Sequence, residues 1–167
     1  DPAGIFLNVT PAGKRFADET EYWFTRSAKL YFEEGYNYYY SIFDSKTQND
    51  KLEDAIAAGT IFKADTIAEL AAKVQMDSSV LTATVDRYNT MCAAGKDTDF
   101  GKSASGPKGV TVEVLQENVP FLTAIDTAPF YALKVPTTGL TGTFGGPAVT
   151  IDGEVLSTDG IVIPGLY

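Results

Sequence analysis

The run Gly139-Leu140-Thr141-Gly142-Thr143-Phe144-Gly145-Gly146 places four glycines in eight residues. Ordering glycine costs more backbone entropy than ordering any other residue, so this stretch is poorly suited to a helix or a central strand. It suits either a loop whose backbone comes close to a flat ligand or a tight turn between strands. Downstream, Ile163-Pro164-Gly165-Leu166-Tyr167 ends on a tyrosine inside an apolar run, which reads as a strand cut short. Residue 1 is aspartate rather than methionine. Together these features lead to the expectation of a piece of a larger cofactor enzyme.

At 167 residues the sequence bounds one domain, or one domain with a small lobe. Its net charge of −9 repels phosphate backbones and anionic membrane faces, so neither nucleic acid nor membrane is an expected partner. No apolar stretch approaches the length of a membrane span. Cys92 is the sole cysteine, which excludes an internal disulfide and a cysteine metal cluster. The absence of histidine excludes a Ser-His-Asp or Cys-His arrangement within the chain. Asp18, Glu19 and Glu21 read as a solvated helix start, where carboxylates suit the helix dipole, and no metal site is expected.

The local pattern is α+β. Gly4–Val9 reads as a strand, Thr10-Pro11-Ala12-Gly13 as a turn, and Lys14 onward as its return. Residues 20–34 suit a helix stopped by Gly35. Tyr36–Asp44 suits a strand, with the three consecutive tyrosines placing two rings on one face and one on the other. Asn49 is the expected cap of a short helix bearing Leu52, Ala55 and Ile56 and ending at Gly59. Thr66 and Glu69 form a capping box ahead of the stripe Ile67, Leu70, Ala71, Val74. Asp77 or Ser78 starts a longer helix carrying Leu81, Thr84, Val85, Tyr88 and Cys92, ending at Gly95. Residues 96–127 read as a long connection. From Pro129 the pattern is strands, with turns at Asp152-Gly153 and Asp159-Gly160. The expected architecture is helices packed on a small mixed or antiparallel sheet, followed by a β-meander.

Several of these segments resemble one family. Gly13-Lys14-Arg15-Phe16-Ala17-Asp18-Glu19 is similar to the "GKRFxNE" segment of the fumarate reductase and succinate dehydrogenase flavoproteins, and Ser41–Asp44 to the strand that follows. Thr66–Ala71 and Leu81–Lys102 resemble that family's capping domain. Pro129–Ala132, Thr143–Gly146 and Ile163–Tyr167 resemble its return into the FAD domain. The resemblance implies a capping domain over residues 1–127 and, over 128–167, strands returning to an FAD-binding domain absent from this chain. The chain carries no G-x-G-x-x-G dinucleotide fingerprint after a strand. The implied partners are that FAD-binding domain of the same parent chain and a small-molecule substrate trapped between the two. The implied chemistry is hydride transfer between flavin and an activated carbon–carbon bond, with a capping-domain arginine supplying a proton. Thr143, Phe144, Gly145 and Gly146 are the residues the resemblance sets against the flavin.

Two departures shape the reading. The family's arginine falls seven residues after the phenylalanine of "GKRF", which here is Trp23. Arg26, three residues later, either projects from a similar helical face as the catalytic arginine or is an ordinary surface arginine. Thr141 stands where the family carries a substrate-binding histidine. With so few cationic groups, fumarate itself is not the expected substrate, and Trp23 with the tyrosines suits a bulkier aromatic or apolar one. The isolated chain is expected to be inactive. The competing reading is a non-enzymatic acidic α+β binding or interaction module.

Overall fold

The computed structural model describes residues 6–47, 51–103, 121–137 and 146–167. Its elements run β1 (Leu7–Val9), α1 (Trp23–Phe32), β2 (Tyr38–Asp44), α2 (Leu52–Ala57), β3 (Ile61–Ala64), α3 (Ile67–Lys73), α4 (Ser78–Ala93) and β4 (Phe130–Pro136). The four strands form one sheet in the order β1-β2-β4-β3, and every pairing in it is antiparallel.

Side chains alternate across this sheet because successive residues of a strand point to opposite faces. Leu7, Val9, Tyr40, Ile42 and Ala132 form one core with Leu70 and Ala71 of α3 and Leu81, Val85 and Tyr88 of α4. The opposite face carries two smaller clusters. Phe6, Phe43 and Tyr131 stack with ring centroids 4.4 and 5.1 Å apart, with Leu52 and Ile56 of α2 against them. Phe16, Ala17 and Tyr39 pack on Leu30 of α1. The three tyrosines divide as expected: Tyr38 and Tyr40 meet edge to face at 5.8 Å on one side, and Tyr39 meets Phe16 on the other. They are core residues of a sheet covered on both faces.

The helix signals hold with adjustments. Asp77 caps α4, its carboxylate accepting from the amides of Ser79 and Val80. At α3 the Thr66 hydroxyl accepts from the Glu69 amide at 3.1 Å, but the Glu69 carboxylate reaches past Thr66 to the amide of Asp65, at 3.3 Å. The reciprocal bond of the expected box is thus displaced by one residue. α1 is shorter than the 20–34 span, and Gly35 follows it in a left-handed conformation (φ +76°). Asn49 lies outside the described residues, and the cap position of α2 is Lys51, which makes no side-chain capping bond.

One expectation is corrected. β4 is no edge awaiting a sheet completed elsewhere: Phe130–Asp44 through Pro136–Tyr38 pair along its full length, and β3 pairs with its other side. Its alternating Tyr131, Leu133 and Val135 fit a gap between β2 and β3 that nothing local predicts. The sheet therefore includes Phe130–Pro136 as one of its two inner strands. The described ends of the 96–127 connection are packed. Leu122 and Ile125 enter the main core, and the Asn89 side chain exchanges two hydrogen bonds with the backbone of Ile125 (2.7 and 2.8 Å). Beyond residue 146 the chain makes two tight turns, with bridges Val149–Val155 and Leu156–Val162 and left-handed Gly153 and Gly160 at the turns.

Thr66→Ala is expected to lower the unfolding free energy by about 0.5–2 kcal/mol, the usual cost of losing such a cap, without changing the denaturant slope. Urea unfolding followed by circular dichroism measures both quantities.

Candidate functional site

The N-terminal end of α1 is an aromatic surface. Tyr22, Trp23 and Phe24 are consecutive, all exposed, and in mutual ring contact: Tyr22 stacks on Phe24 at 5.2 Å and Trp23 meets Phe24 edge-on at 6.0 Å. Trp23 leaves 44% of its surface open. Arg26 points the other way. It is 5% exposed, and its Nε donates to the carbonyl of Glu21 at 3.1 Å. Burial pushes the Tyr39 phenol up, while the charge and hydrogen bond of Arg26 pull it down, so the guanidinium lies against β2. Trp23 and Arg26 thus occupy different faces of α1, and Arg26 is not a surface arginine. In its first turn the helix exposes rings and no cation.

Of the residues set against the flavin, Thr143, Phe144 and Gly145 lie outside the described residues, as does Thr141. Gly146 is exposed, and a Cβ built on it would meet no atom within 4 Å. Its backbone is not left-handed either. Neither packing among the described residues nor φ accounts for glycine at this position.

The largest concentration of charge is one that the sequence reading missed. Glu19, expected at a solvated helix start, is 1% exposed, and α1 begins only at Trp23. The Glu19 carboxylate receives a forked pair of bonds from Arg15 Nε and Nη2 (2.8 and 2.7 Å) and a third from the Asn8 amide (3.3 Å). Lys102 Nζ stands 3.3 Å from it and donates to the Tyr88 hydroxyl at 2.9 Å. Arg15 Nη2 also donates to Asp97 at 2.8 Å, and Asp97 accepts from the amides of Asp99, Phe100 and Lys102. Two acids and two bases balance in the interior, as buried charges must. The available signals were the Arg-x-x-x-Glu spacing after the first turn and the alternating charges of Lys96–Lys102, but nothing local says that these two segments meet. Asp18, by contrast, binds its own turn through Thr20, and Glu21 is exposed.

The electrostatics follow from this burial. Burial pushes the Asp97 carboxyl up, but the Arg15 guanidinium and the amides of Lys102 and Asp99 outweigh it and hold the group well below the usual range. Burial opposes the Lys102 ammonium, as does the nearby Arg15 charge, with Glu19 working against both, and its pKa is lowered. Burial, and then the Glu19 charge, raise the Tyr88 phenol, which therefore stays protonated. Among the described residues no group of histidine, cysteine, aspartate or glutamate is arranged to hold a metal ion. The arrangement is suited to holding segments together, since both acids are fully paired.

A model of the FAD binding domain family matches residues 1–167. The chain belongs to this family. It is 32% identical over 174 residues to the NADH:acrylate oxidoreductase of Vibrio harveyi, a match spanning 99% of this chain and 15% of that protein. It is 32% identical over 161 residues to the fumarate reductase (cytochrome) of Shewanella frigidimarina, spanning 95% of this chain and 25% of that one. The resemblance to fumarate reductase and succinate dehydrogenase-like flavoproteins is thereby established, and FAD is the family's cofactor. The 3-ketosteroid delta1-dehydrogenase of Sterolibacterium denitrificans, solved with 1,4-androstadiene-3,17-dione, has the same fold over 96% of this chain and 32% of its own, with a TM-score of 0.72 at 24% identity. The chain spans a quarter or less of the length of the two relatives compared in sequence.

Removal of one partner of a buried ion pair leaves an uncompensated charge. Arg15→Ala is expected to destabilise this FAD-binding-family chain by about 3–5 kcal/mol in urea unfolding. Asp97 has a depressed folded-state pKa, so its contribution is present above the unfolded aspartate pKa of about 4 and is lost as pH falls through and below it. Unfolding free energy measured from pH 6 downward should drop along this limb, and Asp97→Asn should flatten the drop.

Proposed function

We propose that this chain is the substrate-closing part of an FAD-dependent oxidoreductase of the fumarate reductase type, acting on an aromatic or apolar substrate rather than on fumarate. In this reading the sheet unit through Pro136 covers the substrate, and the turns from Gly146 onward lead toward an FAD-binding domain of the same parent chain. The observation that carries the substrate class is the ring surface Tyr22-Trp23-Phe24 at the start of α1, with Arg26 turned inward. A dicarboxylate needs cationic donors that repay its desolvation. Exposed flat rings instead gain from burial against a flat or apolar partner, about 1.5–3 kcal/mol for a large side chain.

Bound flavin supplies hydride chemistry at an activated carbon–carbon bond. The residues of this chain bind, orient and exclude water. Trp23 and Phe24 pack on the substrate and shed its hydration as the cap closes. Arg26, held by Glu21 and Tyr39, keeps the approach to α1 in place and so orients Trp23, a positioning role rather than proton donation. Gly146, with open space where a side chain would stand, fits a segment whose backbone passes close to the flavin ring. Without the phosphate-cradling fingerprint this chain alone is catalytically silent.

Trp23 is the single tryptophan, so its fluorescence reports on this surface directly. In the flavin-loaded parent, aromatic enoates should quench Trp23 emission and be turned over, with fumarate inert. Trp23→Ala should raise KM for the aromatic substrate about tenfold, the loss of roughly 1.4 kcal/mol of ring burial, with a smaller change in kcat. Efficient fumarate turnover by the parent overturns the substrate assignment. A parent that retains no flavin overturns the oxidoreductase reading and favours the interaction module.

A further inference from the structure

A second concave site lies away from the aromatic end of α1, over the buried ion cluster. It is a groove of about 440 Å³ between the turn residues Lys14 and Arg15, one side of α4 including Arg87 and Tyr88, and the Asp99-Phe100 segment. Its floor is the Arg15 guanidinium, which lies between two rings, 5.2 Å from the Tyr88 centroid and 5.1 Å from that of Phe100. The Arg15 side chain is 5% exposed. Nε and Nη2 are taken by Glu19 and Asp97, while Nη1 is buried with no hydrogen-bond partner among the described residues. A buried donor left unpaired is costly, and a charged one more so, so this edge of the guanidinium favours an acceptor.

The surroundings define the chemistry of that acceptor. The groove is lined by three cations, Lys14, Arg15 and Arg87, against one carboxylate, Asp99, which is paired with Arg87. Arg15 is paired with Glu19 and Asp97 beneath the groove, and Lys102 with Glu19, so the cluster keeps a single net positive charge, with exposed Lys14 as its unpaired cation. The half-buried Phe100 ring lies over the Arg15 guanidinium and also carries Lys29 Nζ of α1 5.0 Å from its centroid, and the segment that holds it is bracketed by Gly95 and Gly101, both left-handed (φ +66° and +77°). A ring at the mouth of a guanidinium slot selects for a flat anion, since it stacks on the ligand while the guanidinium edge takes the charge.

We propose that this groove binds a small planar carboxylate, its oxygen accepting from Arg15 Nη1 and Lys14 and its flat body lying against Phe100. The site lies apart from the ring surface at the start of α1, and touches that helix through Lys29 near its other end.

Benzoate is the probe, with inorganic phosphate as the non-planar anion, both titrated at constant ionic strength. The readout is NMR on the Arg15 side-chain NH signals and the Phe100 ring. Benzoate at about millimolar concentration should shift both sets saturably and leave the Trp23 indole signal unmoved. Arg15 variants risk unfolding, so the test variant is Lys14→Gln with Arg87→Gln, at two exposed positions. It should weaken benzoate binding at least tenfold with an unchanged urea midpoint. Benzoate that leaves the Arg15 and Phe100 signals unmoved at ten millimolar overturns the proposal, and so does phosphate binding as tightly as benzoate. Equal benzoate affinity in the double variant overturns it too.

Discussion

The forked bonds of Arg15 to Glu19, with a third to Asp97, are the constraint on which most of this structure depends. They join the segment that leaves β1 to the segment that leaves α4, 82 residues later in the chain. With those two segments tied, α4 is held along the turn after β1, where Thr84 also donates to the Gly13 carbonyl at 2.8 Å. The same tie places Tyr88 beneath Arg15 and Phe100 above it. Such a cluster is not a large source of net stability, because desolvation offsets most of the Coulomb attraction. Its consequence is specificity: a slipped register would bury unpaired charge.

From that frame the two proposed surfaces follow. The sheet is covered on both faces, by α3 and α4 on one and by α1 and α2 on the other. α1 therefore presents one side to Tyr39 and Phe16 and leaves the other open. Arg26 falls on the inner side, where Tyr39 and a carbonyl satisfy it, and Trp23 falls on the outer. The outer side of this helix start therefore offers an indole ring rather than a cation. The groove over Arg15 belongs instead to the junction of the turn, α4 and the Phe100 segment, where Lys29 of α1 also reaches the Phe100 ring.

Much of the local structure was legible because its causes are local. Thr66, Asp77, Gly35 and the Asp-Gly turns each act through bonds or dihedrals within a few residues of themselves. The Tyr38-Tyr39-Tyr40 alternation is a property of any strand. Membership of the flavoprotein family was legible too, from motifs spread in order along the chain. β4 was misplaced because its partners, β2 and β3, lie far away in sequence and its own pattern suits any half-buried strand. Glu19 was misread for the same reason: a carboxylate near a helix start looks solvated until Arg15, Lys102 and the Asn8 amide are known to converge on it.

The sequence by itself determined the α+β class, the helix caps and turns, the exclusion of histidine- and disulfide-based chemistry, and the family. These depend on composition and on forces that decay within one turn or one strand pair. Tertiary structure alone decided that β4 stands in the middle of the sheet, that Arg26 is buried while Trp23 is open, and that Arg15 is stacked between rings with one nitrogen unpaired. Each of these depends on which distant segment fills the neighbouring space, and burial converts that choice into charge pairing and exposure.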